Sequence, residues 1–413
     1  MVPATNKHTR RERLRKAAYL ILAFTLFIPL LSVGGGKSLA ASASWPLIDG
    51  GGVNGINLAV TNHANYPTIA VYNNQVYAAW LESINSVNKI IVKRLIGYNW
   101  VNISGNGLNY HDRNANNPTM TVADGKLYVA WDEMNLPTSP SQIKVKSFDG
   151  SVWSEVVEGN GLNITASKSA TAPALAVFDD GLYAAWHETN DNNVNQIRVK
   201  KYEGGKTWTS LDGEGQTGLN RNGANGAAFP AMAAFKGSLY VTWAESNGTS
   251  GQIRVKRYDG GTSWTSVDGD DMNTGINMVS YYNGTKPSMA ALDDFLVVIW
   301  EEAPVRSTDS KIRAKKYDGT DWANAEGSST NGLNRYDGFQ VREPALIAFN
   351  DEWYATWQEI KLSTIIYQIR VKKYNGTEWT FVDGGANDGL NKNVGETAVD
   401  PAIAAGNNEL FVA

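Results

Sequence analysis

The sequence predicts an all-β protein: a β-propeller of four-stranded antiparallel blades, seven in number. Three observations predict it. A Gly-Leu/Ile-Asn tripeptide recurs through the chain, ending at Asn57, Asn109, Asn163, Asn220, Asn277, Asn334 and Asn391, and the last four intervals are all 57 residues. Each copy is followed by the same markers in the same order. Between the markers lie short runs of strand character bounded by Gly, Asn and Asp, and nothing after the N-terminal segment reads as a helix of useful length.

The elements of one unit follow in order. Each copy reaches a proline: Pro67, Pro118, Pro173, Pro230, Pro287, Pro344 and Pro401. Proline is expected to open strand a, where a missing N–H is tolerated. A turn such as Asp179-Asp180-Gly181 leads to strand b, an apolar run ending in Trp-x-Glu: Trp80/Glu82, Trp131/Glu133, Trp186/Glu188, Trp243/Glu245, Trp300/Glu302 and Trp357/Glu359. Strand c alternates basic and apolar residues, as in Gln196-Ile197-Arg198-Val199-Lys200-Lys201-Tyr202. A glycine turn then leads to strand d and a second tryptophan: Trp100, Trp153, Trp208, Trp264, Trp322 and Trp379, with Trp45 in the same set. A two-sided solenoid competes with this reading, but it does not need a four-stranded meander in each repeat. Face-to-face packing of blades accounts for large aromatics in every unit.

The ends set the blade count. The spacing places the next strand-b tryptophan one position beyond Ala413, and Leu410-Phe411-Val412-Ala413 matches the start of that strand. Ser44-Trp45-Pro46-Leu47-Ile48-Asp49-Gly50 aligns with strand d but has no strands a to c before it. The sequence therefore predicts a seventh blade, truncated at its C-terminal end and closed by this N-terminal strand. On that expectation the sequence is a fragment.

Residues 1–43 are of another kind. A basic head (Lys7, Arg10, Arg11, Arg13, Arg15, Lys16) precedes an apolar run from Ala17 to Val33 and then small residues through Ala43. This order reads as a signal peptide, with a retained membrane anchor as the competing reading. The expected domains are a signal peptide at 1–43 and a propeller at 44–413, secreted or attached to the cell surface. Without the signal, the chain carries 30 Lys or Arg and 40 Asp or Glu. That acidic balance makes nucleic acid a poor partner. There is no cysteine, which excludes disulfides and thiolate metal sites.

The turn Asp259-Gly260-Gly261-Thr262-Ser263-Trp264 resembles the Asp-box hairpin of sialidase-type propellers. The whole unit, with Leu-Tyr-Ala-Ala-Trp-x-Glu, Gln-Ile-Arg-Val-Lys and Gly-Leu-Asn, resembles propeller repeats in exported surface proteins of Gram-positive bacteria. The resemblance covers residues 45–413 and implies a surface location without an established chemistry.

The repeated glutamates are poor catalysts, since a reaction needs one asymmetric constellation rather than six equivalents. They are expected to pair across the hairpin with strand-c arginines: Glu188 with Arg198, Glu245 with Arg254 and Glu359 with Arg370. Asp268-Gly269-Asp270-Asp271 offers oxygen ligands suited to Ca²⁺, but its spacing matches no calcium loop, and these are also ordinary turn residues. No trio of arginines stands out that would hold a sialic acid carboxylate. No other cofactor is expected.

Function is expected where the sequence departs from the repeat, on the face bearing the d–a and b–c connections. The candidate ligand-binding residues there are Tyr110, His111, Asp112, Arg221, Tyr281, Tyr282, Arg306, Arg335 and Tyr336. Exposed rings beside amide and charged groups suit sugars. The sequence thus points to non-catalytic binding or adhesion, with a glycan or surface protein as partner. The alternative is a carbohydrate-active enzyme, a sialidase-like hydrolase or a lyase, with its site on the same face.

Overall fold

The computed structural model describes residues 45–413 except 51–54, 60, 111, 135–138, 214, 262, 293, 361–363 and 385–388. The expected signal peptide therefore lies outside the described residues, as does His111. The described chain is all β. Among the described residues no helix is long and apolar enough to cross a membrane.

Six four-stranded antiparallel sheets follow one another as simple meanders, over residues 64–102, 115–155, 170–210, 227–266, 282–324 and 341–381. In the first, strands a to d are Ala64–Tyr72, Gln75–Ile84, Val87–Ile96 and Asn99–Asn102. A seventh sheet has two strands, Ile403–Gly406 and Glu409–Val412. These are blades 1 to 7. Strands a form the inner ring, and that of blade 7 packs against those of blades 6 and 1. Asn407 adds a closing bond, donating its side-chain N–H to the carbonyl of Asn74 at 3.0 Å.

The core lies between blades. Trp131, Trp186, Trp243, Trp300 and Trp357 are wholly buried. Trp243 of blade 4 packs on Tyr183, Ala185, Ile197 and Val199 of blade 3. Trp186 of blade 3 packs in the same way on Tyr128, Ala130, Ile143 and Val145 of blade 2. This is why the apolar runs lack a polar face: both sides of strands b and c are covered.

The repeated polar residues fasten each blade to the next. The Asn220 side chain accepts the Ile197 N–H at 2.9 Å and donates to the carbonyls of Asn195 at 3.0 Å and Asn225 at 2.7 Å. Asn163, Asn277 and Asn391 make equivalent sets. The preceding glycine is required by two constraints. Gly218 has φ +51°, and a Cβ there would lie 2.4 Å from the Ile197 carbonyl oxygen.

Glu188, Glu245 and Glu359 do not pair as the sequence suggests, although in blade 5 the equivalent Glu302 does meet the strand-c Arg313 at 3.4 Å. The strand register sets Trp186, not Glu188, opposite Arg198. Glu188 instead accepts the Trp186 indole N–H and the backbone N–H groups of Ile164 and Thr165. Glu245 does the same with Trp243, Arg221 and Asn222. Glu359 holds Trp357, Arg335 and Tyr336. The strand-c arginines turn to the aspartate after strand d: Arg198 to Asp212, Arg254 to Asp268 and Arg370 to Asp383, at 3.4, 3.4 and 3.5 Å. Each glutamate is thus a clamp on the incoming loop of its own blade.

Candidate binding site at the propeller axis

In the six complete blades the prolines do not open strand a: each lies within the inner strand, inside the bulge that breaks the a–b register, between Asn65 and Thr68 in blade 1. Only Pro401 stands just ahead of its strand, Ile403–Gly406. The residue before each proline has a positive φ: Tyr66 52°, Asn117 50°, Ala172 52°, Phe229 56°, Lys286 50°, Glu343 53° and Asp400 55°. This is costly backbone for a residue with a Cβ, and a following proline disfavours it further. Proline fits here because the bulge leaves its position without a ladder partner. The same conformation in all seven sectors puts seven pre-proline residues on one ring.

That ring lines a cavity of about 560 Å³ on the axis, whose walls are the seven prolines, the seven residues before them, Thr171 and His187. The frame is constant and the chemistry is not. Tyr66 and Phe229 are aromatic and 43% and 38% exposed. They stand three sectors apart. Asn117, Lys286, Glu343 and Asp400 are polar or charged.

Several of these groups are held in place. Lys286 ion-pairs with the Glu343 carboxylate of the next blade. Its Nζ also lies 5.5 Å from the Phe229 ring centre, and the His187 ring meets Phe229 edge-on at 6.0 Å. His187 shares a hydrogen with Thr171 Oγ1 across 2.7 Å, and its Nδ1 has no partner among the described residues. Burial lowers the His187 pKa to about 4, so the ring is neutral at pH 7. Behind the ring, burial pushes Glu301 up to about 7 against the pull of Lys286 and Arg342. It pushes Asp132 to about 6, and Asp132 accepts from Asn117 at 2.7 Å and from the Ala172 N–H at 3.2 Å. Asp400 is raised by burial and accepts the Tyr66 N–H, while its own N–H donates to Gln358 at 2.7 Å. Asp132 and Gln358, each between the Trp and Glu of strand b, thus buttress the pre-proline residue of the next blade.

The sequence matches no protein-family model and no curated protein. Solved structures do match. The fold is similar to that of a sialidase propeller. Trypanosoma rangeli sialidase in complex with sialic acid aligns with a TM-score of 0.52 and 13% identity, covering 76% of this chain and 54% of that one. The chain thus spans about half the length of that sialidase. A GH93 α-L-arabinofuranosidase of Fusarium graminearum with arabinobiose aligns at 0.44 and 12% identity, covering 71% and 85%. At these identities the likeness to the sialidase is one of fold.

Within this sialidase-like fold, none of the described loop residues singled out from the sequence lines the axial cavity. Tyr110 is interior: its ring packs on Trp131 at 5.9 Å, its hydroxyl donates to the Val145 carbonyl, and Lys144 and Lys146 approach its face. Asp112 is exposed and pairs with Lys89 at 2.8 Å. Arg221 reaches the Asp270 carbonyl at 2.7 Å and the Asp268 carboxylate at 3.8 Å. Arg335 lies over the rings of Phe381 and Tyr336. Arg306 sits exposed in the b–c loop of blade 5 with φ 69°. Tyr281 is 71% exposed and packs edge-on against Tyr282. Asp268, a candidate calcium ligand by sequence, is held by Arg254 and Arg221. Among the described residues no cluster of three or more His, Asp or Glu could hold an ion. The missed signal was the column before each proline, where residue type changes while the frame stays fixed.

Proposed function

We propose that this protein is an extracellular, non-catalytic propeller that binds a neutral glycan in its axial cavity. The observation that carries this reading is the ring itself: seven equivalent backbone positions present seven different side chains around one cavity. Its size lies within the usual range for small-ligand sites. Two exposed aromatics can face the apolar sides of a pyranose or furanose ring, while Asn117, His187, Lys286 and Asp400 offer partners for its hydroxyls. Among the described residues lining the cavity there is no arginine, and the one lysine is paired with Glu343. A sialic acid carboxylate would find no arginine clamp on this wall, which directs the reading to neutral sugars. The sialidase of similar fold is seen with sialic acid, which supports carbohydrate as the ligand class. The basic, apolar and small-residue order of residues 1–43 supports export, and the repeat's resemblance to Gram-positive surface proteins supports a place at the cell surface.

The rival reading is a glycoside hydrolase. Glu343 and Asp400 occupy adjacent sectors of the cavity wall, and the Asp400 carboxyl is raised. A glycan array read beside a panel of chromogenic glycosides separates the two. The proposal expects neutral glycans retained on the array and no turnover. Turnover abolished by Asp400→Asn would replace binding with catalysis.

A further inference from the structure

A second cavity of about 260 Å³ lies between blade 4 and strand a of blade 5, and Phe229 lines both it and the axial cavity. Its floor is the cross-strand pair Ala228 and Ala244. The other five complete blades carry larger side chains at this pair: Asn65/Leu81, Asn116/Asp132, Thr171/His187, Thr285/Glu301 and Arg342/Gln358. Only blade 4 of the six is cut down to two alanines. The groove runs outward past Thr249 and Ser250 in the b–c loop and is walled by Asn283. Asn283 accepts the Gly251 N–H at 2.7 Å, which fixes the loop against blade 5. Tyr281 and Tyr282 lead directly into Asn283, so this aromatic pair stands next to the groove wall.

We infer that the ligand is the end of a linear neutral oligosaccharide, with its terminal unit over the axis and the following units leaving through the groove of blade 4. This rests on the glycan reading above and adds direction and length to it. Phe229 is placed for the turn between the two cavities. Its backbone is fixed by the bulge, and its ring is held by His187 and Lys286. The alanine pair supplies clearance, and Thr249, Ser250 and Asn283 supply hydrogen-bonding groups along the path. In the other complete blades larger side chains stand at the equivalent pair.

The test is calorimetric titration of the whole protein with xylo-, cello-, chito- and arabino-oligosaccharides, each from monosaccharide to hexasaccharide. In the series that binds, affinity is expected to rise about tenfold from the disaccharide to the tetrasaccharide, the equivalent of one or two added contacts. Ala244→Gln should abolish that rise. Glutamine already occupies this position in blade 6 as Gln358, so the fold accommodates it. Ala228→Asn, which copies Asn65 and Asn116 of blades 1 and 2, serves as the second variant. A rise that persists in both variants, or no rise in the unmodified protein, overturns the groove. If no member of any series binds, the glycan reading falls and the groove with it.

Discussion

Trp45 donates its indole N–H to the carbonyl oxygen of Val382 at 2.6 Å, across 337 positions of sequence. The bond is one of a series. Trp153 donates to Ile103, Trp208 to Val156, Trp264 to Leu211, Trp322 to Val267 and Trp379 to Ala325, each joining strand d of one blade to the blade before. Trp100 donates to Ile48. The segment at 45–48 therefore fills the strand-d place between blades 6 and 1, and Asp49 adds an ion pair to Lys392 at 2.6 Å. Trp45→Phe keeps the ring packing and removes the bond. It should cost about 0.5–1.5 kcal/mol in denaturant unfolding and speed hydrogen exchange in blade 7 more than in blade 3. Uniform exchange across blades would mean that Trp45 does not hold the closure.

Trp186→Ala should destabilise by about 3–5 kcal/mol, because it opens a void between blades 2 and 3. It also strips Glu188 of one donor. Thermal melting checks this. An unchanged melting temperature would contradict the burial.

Asn220 distinguishes a hydrogen-bonded clip from a filler. Asn220→Ala leaves the Ile197 N–H and two carbonyls without partners and should cost about 2–3 kcal/mol. Asn220→Asp can still accept from Ile197 but sets a carboxylate against both carbonyls. It should be at least as damaging in chemical denaturation. A silent Asn220→Asp would show that the two donated bonds contribute nothing.

Glu301 makes stability depend on pH. Its folded pKa, about 7, lies above its ordinary value of 4.5, so the folded chain binds the proton more tightly. The stability this contributes is full below about pH 4.5 and is lost as pH rises through about 7. His187 acts in the opposite sense: its pKa falls from 6.5 to about 4, so its contribution grows as pH rises across that window. Glu301→Gln should therefore raise the melting temperature, relative to the unmodified protein, more at about pH 8 than at about pH 5. A gain equal at both would assign the effect to packing.

Much of this fold was legible in the sequence because each marker has a repeated mechanical task. Asn220 and its counterparts clip strand c, Glu188 and its counterparts clamp the loop, and each strand-d tryptophan bridges blades. The order of strands within a blade and the place of Trp45 followed from spacing alone. The partners of Glu188 and Arg198 did not, because residue spacing does not reveal which of several nearby donors a carboxylate meets. The axial ring was missed for a related reason. The proline suggested a strand opening, whereas in the six complete blades it marks a bulge that turns the preceding residue toward the axis. Loop residues such as Tyr110 and Arg335 vary along the repeat, yet their side chains are taken up between and across blades.

The central claim is tested most directly by titrating the best-retained glycan from the array into the unmodified protein and into a Tyr66→Ala/Phe229→Ala double variant. Alanine already holds this backbone at Ala172, with φ 52°, so the double variant keeps the ring's geometry. The account predicts binding to the unmodified protein, a loss of about tenfold to a hundredfold in the double variant, and a similar melting temperature for both. Undiminished binding by the double variant would contradict it.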